Sequence, residues 1–230
     1  MKPLSALARS VRYGAVDGLR KIAFAVLLVA APASAETLTI AALGDSLTQG
    51  YGVPRGEGFV PQLQRWVDAR TPGLEVTVEN AGVSGDTTAG GLARVGWTLT
   101  PEVDALIVTL GGNDLLRGIA PEASRANLAG ILDAADKAGV PALLIGIPAP
   151  GNYGADYKKA FDAIYPELAA EYGALHHSDF LGAIRTEIAE GAETQTYLQP
   201  DNIHPNPAGV ALIVEDIGPS VLDLIDLSRD

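Results

Sequence analysis

Leu43-Gly44-Asp45-Ser46-Leu47-Thr48-Gln49-Gly50-Tyr51-Gly52 follows directly on the apolar run that begins at Leu38, and it turns polar at its third residue. An apolar run ending in a glycine-punctuated polar turn reads as a buried strand that leads into a helix. Open α/β sheets bind their ligands at such carboxyl ends. Asp45 and Ser46 are also good turn and helix-cap residues, and alone they would suit that role equally. Far downstream, Asp201-Asn202-Ile203-His204-Pro205 places an Asp and a His in one tight loop. A hydroxyl, a base and a carboxylate to orient the base are therefore all available to one site.

Around this stretch, apolar runs recur at Leu38 to Leu43, Leu74 to Val78, Ala105 to Leu110, Ala142 to Ile147 and, more weakly, Ala174 to Phe180. Helical patterns separate them at Phe59 to Ala69, Thr88 to Leu99, Glu122 to Ala138, Asp156 to Tyr172, Leu181 to Glu190 and Ala208 to Ile225. Alternating strands and helices predict an α/β fold with a parallel sheet covered on both faces. Polar turns close four of the runs: Gly44-Asp45-Ser46, Asn80 to Thr87, Gly111-Gly112-Asn113-Asp114, and Pro148 to Tyr153. In a parallel sheet these turns share one edge, so residues distant in sequence converge on one crevice.

The chain of 230 residues suits a single α/β domain preceded by a leader. Lys2, Arg9, Arg12, Arg20 and Lys21 precede the apolar run Ile22 to Ala31, which ends in Ala33-Ser34-Ala35. That is the pattern of a secretory signal peptide cleaved after residue 35, and the run is too short to span a bilayer. The expected organisation is a leader over 1–35 and the catalytic domain over 36–230. Export to the periplasm or the external medium follows, with no stable membrane insertion after cleavage. Of the sixteen basic and twenty-eight acidic residues, the leader removes five and one (Asp17), leaving 11 against 27 and a formal charge of −16. Such a surface repels nucleic acid, so none is expected as partner. The chain has no cysteine, which excludes disulfides, thiolate metal sites and a cysteine nucleophile.

Serine needs an adjacent base to become nucleophilic at neutral pH. Of the three histidines, His176, His177 and His204, only His204 stands in Asp-x-x-His, where Asp201 can accept from one ring nitrogen while the other faces Ser46. Pro205 and Pro207 stiffen that loop. A lone Asp-x-x-His would more simply be a loop turn; the other turns on the same edge favour catalysis. Acyl transfer also needs donors for a developing oxyanion. The candidates are the backbone N–H groups of Ser46 and Gly85 and the side-chain amide of Asn113. Loss of activity is expected when His204 is protonated.

Gly44-x-Ser46-x-Thr48 lacks the second glycine of G-x-S-x-G, and Asp and His are only three positions apart, so the α/β-hydrolase arrangement does not apply. Gly44-Asp45-Ser46, Gly85 within Ser84-Gly85-Asp86-Thr87, Gly111-Gly112-Asn113-Asp114 and Asp201-x-x-His204 instead resemble, in order, the four blocks of the SGNH (GDSL) hydrolases. Gly91-Leu92-Ala93-Arg94, Leu115 to Gly118, Asn152-Tyr153-Gly154 and Ala163 to Pro166 extend the similarity to the exported thioesterase I, lysophospholipase L1 and arylesterase group. The resemblance implies a flavodoxin-like three-layer sandwich whose five-stranded parallel sheet has the order 2-1-3-4-5. It also implies Ser46 as nucleophile, His204 as base, Asp201 as its orienter, and Ser46, Gly85 and Asn113 as the oxyanion hole. Asn202 stands where such sequences often carry glycine.

The expected activity is hydrolysis of carboxylic esters or thioesters, such as aryl esters, acyl thioesters or lysophospholipids, without metal or cofactor. Asn152, Tyr153 and Leu115 are the candidate substrate-binding residues, with Leu116 and Ile119 as further groove positions. The expected partner is a small ester or lipid substrate, and the expected state is a monomer. Two other enzyme readings share these residues: deacetylation of sugars, and a metal-dependent phosphoesterase using Asp45, Asn113, Asp201 and His204. A third is a crevice that binds lipid or carbohydrate without chemistry.

Overall fold

The computed structural model describes residues 37–229; the expected leader, 1–35, lies outside the described residues. In chain order the elements are β1 (Thr37–Gly44), α1 (Ser46–Gln49), α2 (Phe59–Asp68), β2 (Glu75–Gly82), α3 (Thr88–Thr98), β3 (Ala105–Thr109), α4 (Gly112–Leu116) and α5 (Pro121–Ala138). They continue with β4 (Ala142–Ile145), α6 (Ala155–Asp162), α7 (Ile164–Tyr172), β5 (Leu175–His177), α8 (Gly182–Ala189), α9 (Thr194–Tyr197) and α10 (Pro207–Leu227). A 3₁₀ turn occupies Gly151–Tyr153.

The strands form one parallel sheet in the order β2-β1-β3-β4-β5, as the resemblance implied. Every residue of β3 and β4 is buried, as expected for strands covered on both faces. The edge strand β2 buries only Val76 and Val78, in alternation with exposed Glu75, Thr77 and Glu79. The helices fall into two packed groups: α2, α8 and α10 in one, and α3, α5, α6 and α7 in the other. Each group rests on strands of the sheet, which gives the three layers. Among the described residues no helix is long and apolar enough to cross a membrane.

Several boundaries differ from the sequence reading: β4 ends at Ile145 rather than Ile147, β5 spans only Leu175–His177, and two further differences bear on local structure. β2 does not end at Val78: Asn80, Ala81 and Gly82 pair with Ala42, Leu43 and Gly44. β1 supplies the ladder there although the β2 residues are polar or small. The helix expected over Asp156 to Tyr172 breaks at Ala163 into α6 and α7. Pro166 lies just inside the second piece, and it has no N–H to donate back to the carbonyl of Asp162.

The carboxyl edge is held by buried polar groups. Asp114 in α4 is fully buried and accepts from the Thr88 N–H at 2.9 Å, the Thr88 hydroxyl at 2.6 Å and the Ser124 hydroxyl at 2.8 Å. It thereby ties the starts of α3 and α5 to the helix that carries Asn113. Arg94 of α3 pairs with Asp86 at 2.7 Å and donates to the carbonyls of Ala81 and Gly44, joining the ends of β1 and β2 to the following loop. Asp114→Ala would leave three buried donors unpaired, with an expected loss of about 3 kcal/mol or more. The check is the urea midpoint at unchanged m-value; a loss below about 1 kcal/mol would contradict this role.

Candidate active site

Ser46 is the first residue of α1, immediately after β1. Asp45 caps that helix: its Oδ1 accepts from the Leu47 N–H at 3.0 Å, and its Oδ2 accepts from the Asn113 amide at 3.2 Å. Asp45 is almost fully buried. Burial pushes its carboxyl up to about 6, against the opposing pull of the Leu47 N–H, the Asn113 amide and His204. Gly44 before it cannot be replaced by a larger residue, because a Cβ there would collide with Thr48 and the Thr109 carbonyl.

His204 lies 158 positions downstream, yet its Nε2 is 2.9 Å from Ser46 Oγ and its Nδ1 is 2.7 Å from Asp201 Oδ2. Asp201 Oδ1 also accepts from the backbone N–H groups of Ile203 and His204, each at 3.0 Å. Partial burial pushes the Asp201 carboxyl up, but the bonds from the His204 ring and from these two N–H groups outweigh it and hold the group at about 2. An ionised Asp201 accepts from Nδ1–H, which leaves Nε2 free to accept the Ser46 proton. The loop has its own supports. Asn202 is the one non-glycine residue with positive φ (57°) among the described residues. Asparagine tolerates that region better than most side chains, which suits it to this position. Asn206 caps α10 by accepting from the N–H groups of Ala208 and Gly209.

Gly85 sits third in the turn Val83–Asp86, which is closed by Asp86 N–H to Val83 O at 3.0 Å. Its φ of 83°, with negative φ at Ser84, makes this a type II turn, and glycine is the residue that such a position favours. Ser46, Gly85, Asn113 and His204 all line one cavity of about 760 Å³. Leu115, Leu116, Ile147, Pro148, Leu181 and Ile203 supply much of its apolar wall.

The structure thus brings Ser46, Gly85, Asn113, His204 and Leu115 to one cavity, with Asp201 behind His204. Asn152 and Tyr153 are placed elsewhere: they do not line the cavity, and the Tyr153 ring packs 4.9 Å from that of Tyr157. Pro148, Ala149 and Pro150 of the same loop do line it. Of the other candidates, Leu116 is on the wall and Ile119 is not. His177 pairs with Asp216 at 3.3 Å and does not line the cavity. No group of three or more His, Asp or Glu suited to a metal ion occurs among the described residues.

Sequence reasoning missed Tyr51, whose ring centroid lies 4.7 Å from that of His204 on the cavity wall. It also missed Lys158, Asp179 and Arg185 on that wall. Tyr51 stands inside the opening motif, but nothing in its spacing points toward a loop some 150 positions away.

Chemically, the arrangement can deprotonate Ser46, present it to a carbonyl, and offer N–H donors to the resulting oxyanion. The model of the GDSL-like Lipase/Acylhydrolase family matches residues 42–212. Esterase TesA of Pseudomonas aeruginosa is 37% identical over 202 residues, covering 87% of this chain and 95% of that protein. Thioesterase 1/protease 1/lysophospholipase L1 of Escherichia coli K12 is 37% identical over 184 residues, covering 80% and 82%. Among solved structures, AlinE4, described as an SGNH-hydrolase family esterase, is 40% identical with a TM-score of 0.65, covering 82% of this chain and 96% of that one.

Proposed function

Since the chain belongs to the GDSL-like lipase/acylhydrolase family, we propose that it hydrolyses carboxylic esters and thioesters through an acyl-serine intermediate on Ser46. The carrying observation is the relay Ser46–His204–Asp201, at 2.9 and 2.7 Å, opening into a largely apolar cavity of about 760 Å³. His204 takes the Ser46 proton as Oγ attacks the carbonyl carbon. The N–H groups of Ser46 and Gly85 and the Asn113 amide hold the oxyanion. His204 then protonates the leaving alcohol or thiol, and a water activated by the same imidazole releases the acid. None of these steps calls for a metal or cofactor.

The substrate is a small ester or lipid whose acyl chain lies along Leu115, Leu116 and Ile147. In this reading the protein is exported after loss of residues 1–35 and acts as a monomer in the periplasm or external medium.

A panel of nitrophenyl esters from acetyl to palmitoyl, with acyl-CoA and a lysophospholipid, tests the assignment. Short to medium aryl esters are expected to be cleaved best, with turnover unchanged by EDTA. Activity confined to acetylated sugars, or abolished by chelation, would overturn it.

A further inference from the structure

Two of the three oxyanion donors are tied to one buried group. Asp45 begins the helix that opens with Ser46, and it accepts from the amide of Asn113. The third donor, the Gly85 N–H, belongs to an exposed turn and has no such tie. The turn lies at the surface, so burial around it does not fix the position of Gly85 relative to α4. Something else must hold the turn if this donor is to meet the same oxygen as the amide of Asn113.

Arg117 is placed to do so. Its Nη2 donates to the Gly85 carbonyl at 2.7 Å. It stands at the C-terminal end of α4, where its backbone N–H is bonded to the carbonyls of Asn113 and Asp114. Among the described residues the guanidinium makes no ion pair, and that carbonyl is its one hydrogen-bond partner. The neighbouring parts of the turn have separate supports: Ser84 donates to Gln49 Oε1 at 3.0 Å, and Asp86 pairs with Arg94. Arg117 is the direct side-chain link from the turn to the helix that carries Asn113.

We propose that Arg117 is a positioning residue that holds the Gly85 N–H in place relative to the Asn113 amide, so that donors from two separate loops converge on one oxyanion. The proposal rests on the oxyanion-hole reading given above. Gly85 and Asn113 gain their strongest bonds only as the carbonyl oxygen becomes negative. A loosened Gly85 therefore costs transition-state stabilisation and leaves ground-state binding alone.

The test uses Arg117→Met, which keeps the aliphatic stem, and Arg117→Lys, which keeps a donor. Both are compared with wild type by nitrophenyl butyrate kinetics, thermal melting and the rate of inactivation by a nitrophenyl alkylphosphonate. Outright removal of one oxyanion donor costs about 10²- to 10³-fold. Loosening one is expected to lower kcat about tenfold in Arg117→Met, slow phosphonate inactivation in parallel, and leave KM and Tm unchanged. Arg117→Lys is expected to recover most of the rate. A kcat within twofold of wild type in Arg117→Met overturns the proposal. So does a loss that tracks a falling Tm, or one that Arg117→Lys does not restore. Asn113→Ala serves as the control: wild-type turnover there would sink the oxyanion-hole reading itself, whatever Arg117 does.

Discussion

Ser46→Ala is expected to lower kcat for a short-chain nitrophenyl ester by about 10⁴- to 10⁶-fold, with KM within a few-fold of wild type. The hydroxyl removed is the one whose oxygen lies 2.9 Å from His204 Nε2. The aromatic, apolar and donor groups that bind the substrate stay where they are. His204→Ala should cost a similar factor, because the serine then has no acceptor for its proton. The double variant should be little slower than either single one: in the proposed mechanism nucleophile and base act in the same bond-making step, so removing the second removes nothing further. Two independent binding contacts would instead give multiplying losses. Mass spectrometry supplies a second readout, since the phosphonate should add one covalent equivalent to wild type and none to Ser46→Ala. More than about one hundredth of wild-type turnover in Ser46→Ala, or phosphonylation at another residue, would remove Ser46 from the mechanism.

The convergence of Ser46, Gly85 and Asn113 was legible because it follows from topology, whereas His204, in the loop before α10, was legible only from its Asp-x-x-His pattern. Polar turns after parallel strands share an edge, and the strands announced themselves as continuous apolar runs. The last three residues of β2 were not legible: Asn80-Ala81-Gly82 reads as a turn, and its pairing is set by β1 rather than by its own side chains. Pro166 carried a visible signal for the break between α6 and α7, but the apolar pattern ran straight through it. The lining was half legible for a related reason. Apolar residues near the site can be named from sequence, but whether a ring faces the cavity or a neighbour depends on one local turn. The 3₁₀ turn at Gly151–Tyr153 sends Tyr153 toward Tyr157. Arg94 and Arg117 act on backbone carbonyls, and a carbonyl has no residue type to give the pairing away.

Asp201→Asn is expected to reduce kcat by about 10³- to 10⁴-fold with the fold intact. The carboxylate has two distinct tasks: Oδ1 accepts from the backbone N–H groups of Ile203 and His204, and Oδ2 accepts from Nδ1–H of the His204 ring. An amide has one oxygen for these tasks. If that oxygen stays on the two backbone N–H groups, the amide nitrogen faces Nδ1 and donates to it. The ring proton then moves to Nε2, which points an N–H at Ser46 Oγ and ends its service as a base. The pH dependence has a definite sign. The Asp201 carboxyl is lowered to about 2, so its stabilising contribution is fully present above the ordinary carboxylate range and is lost as pH falls through about 2. It stays ionised from pH 5 to 9 and adds no step to the activity profile there. Because the side chain is 38% exposed, solvent screening keeps that contribution small. Wild type should therefore lose slightly more stability than Asp201→Asn on acidification from pH 4 to pH 2, while activity at pH 7 separates the two by orders of magnitude. A loss below about tenfold in Asp201→Asn would mean that the backbone of the loop, and not the carboxylate, sets the tautomer of His204.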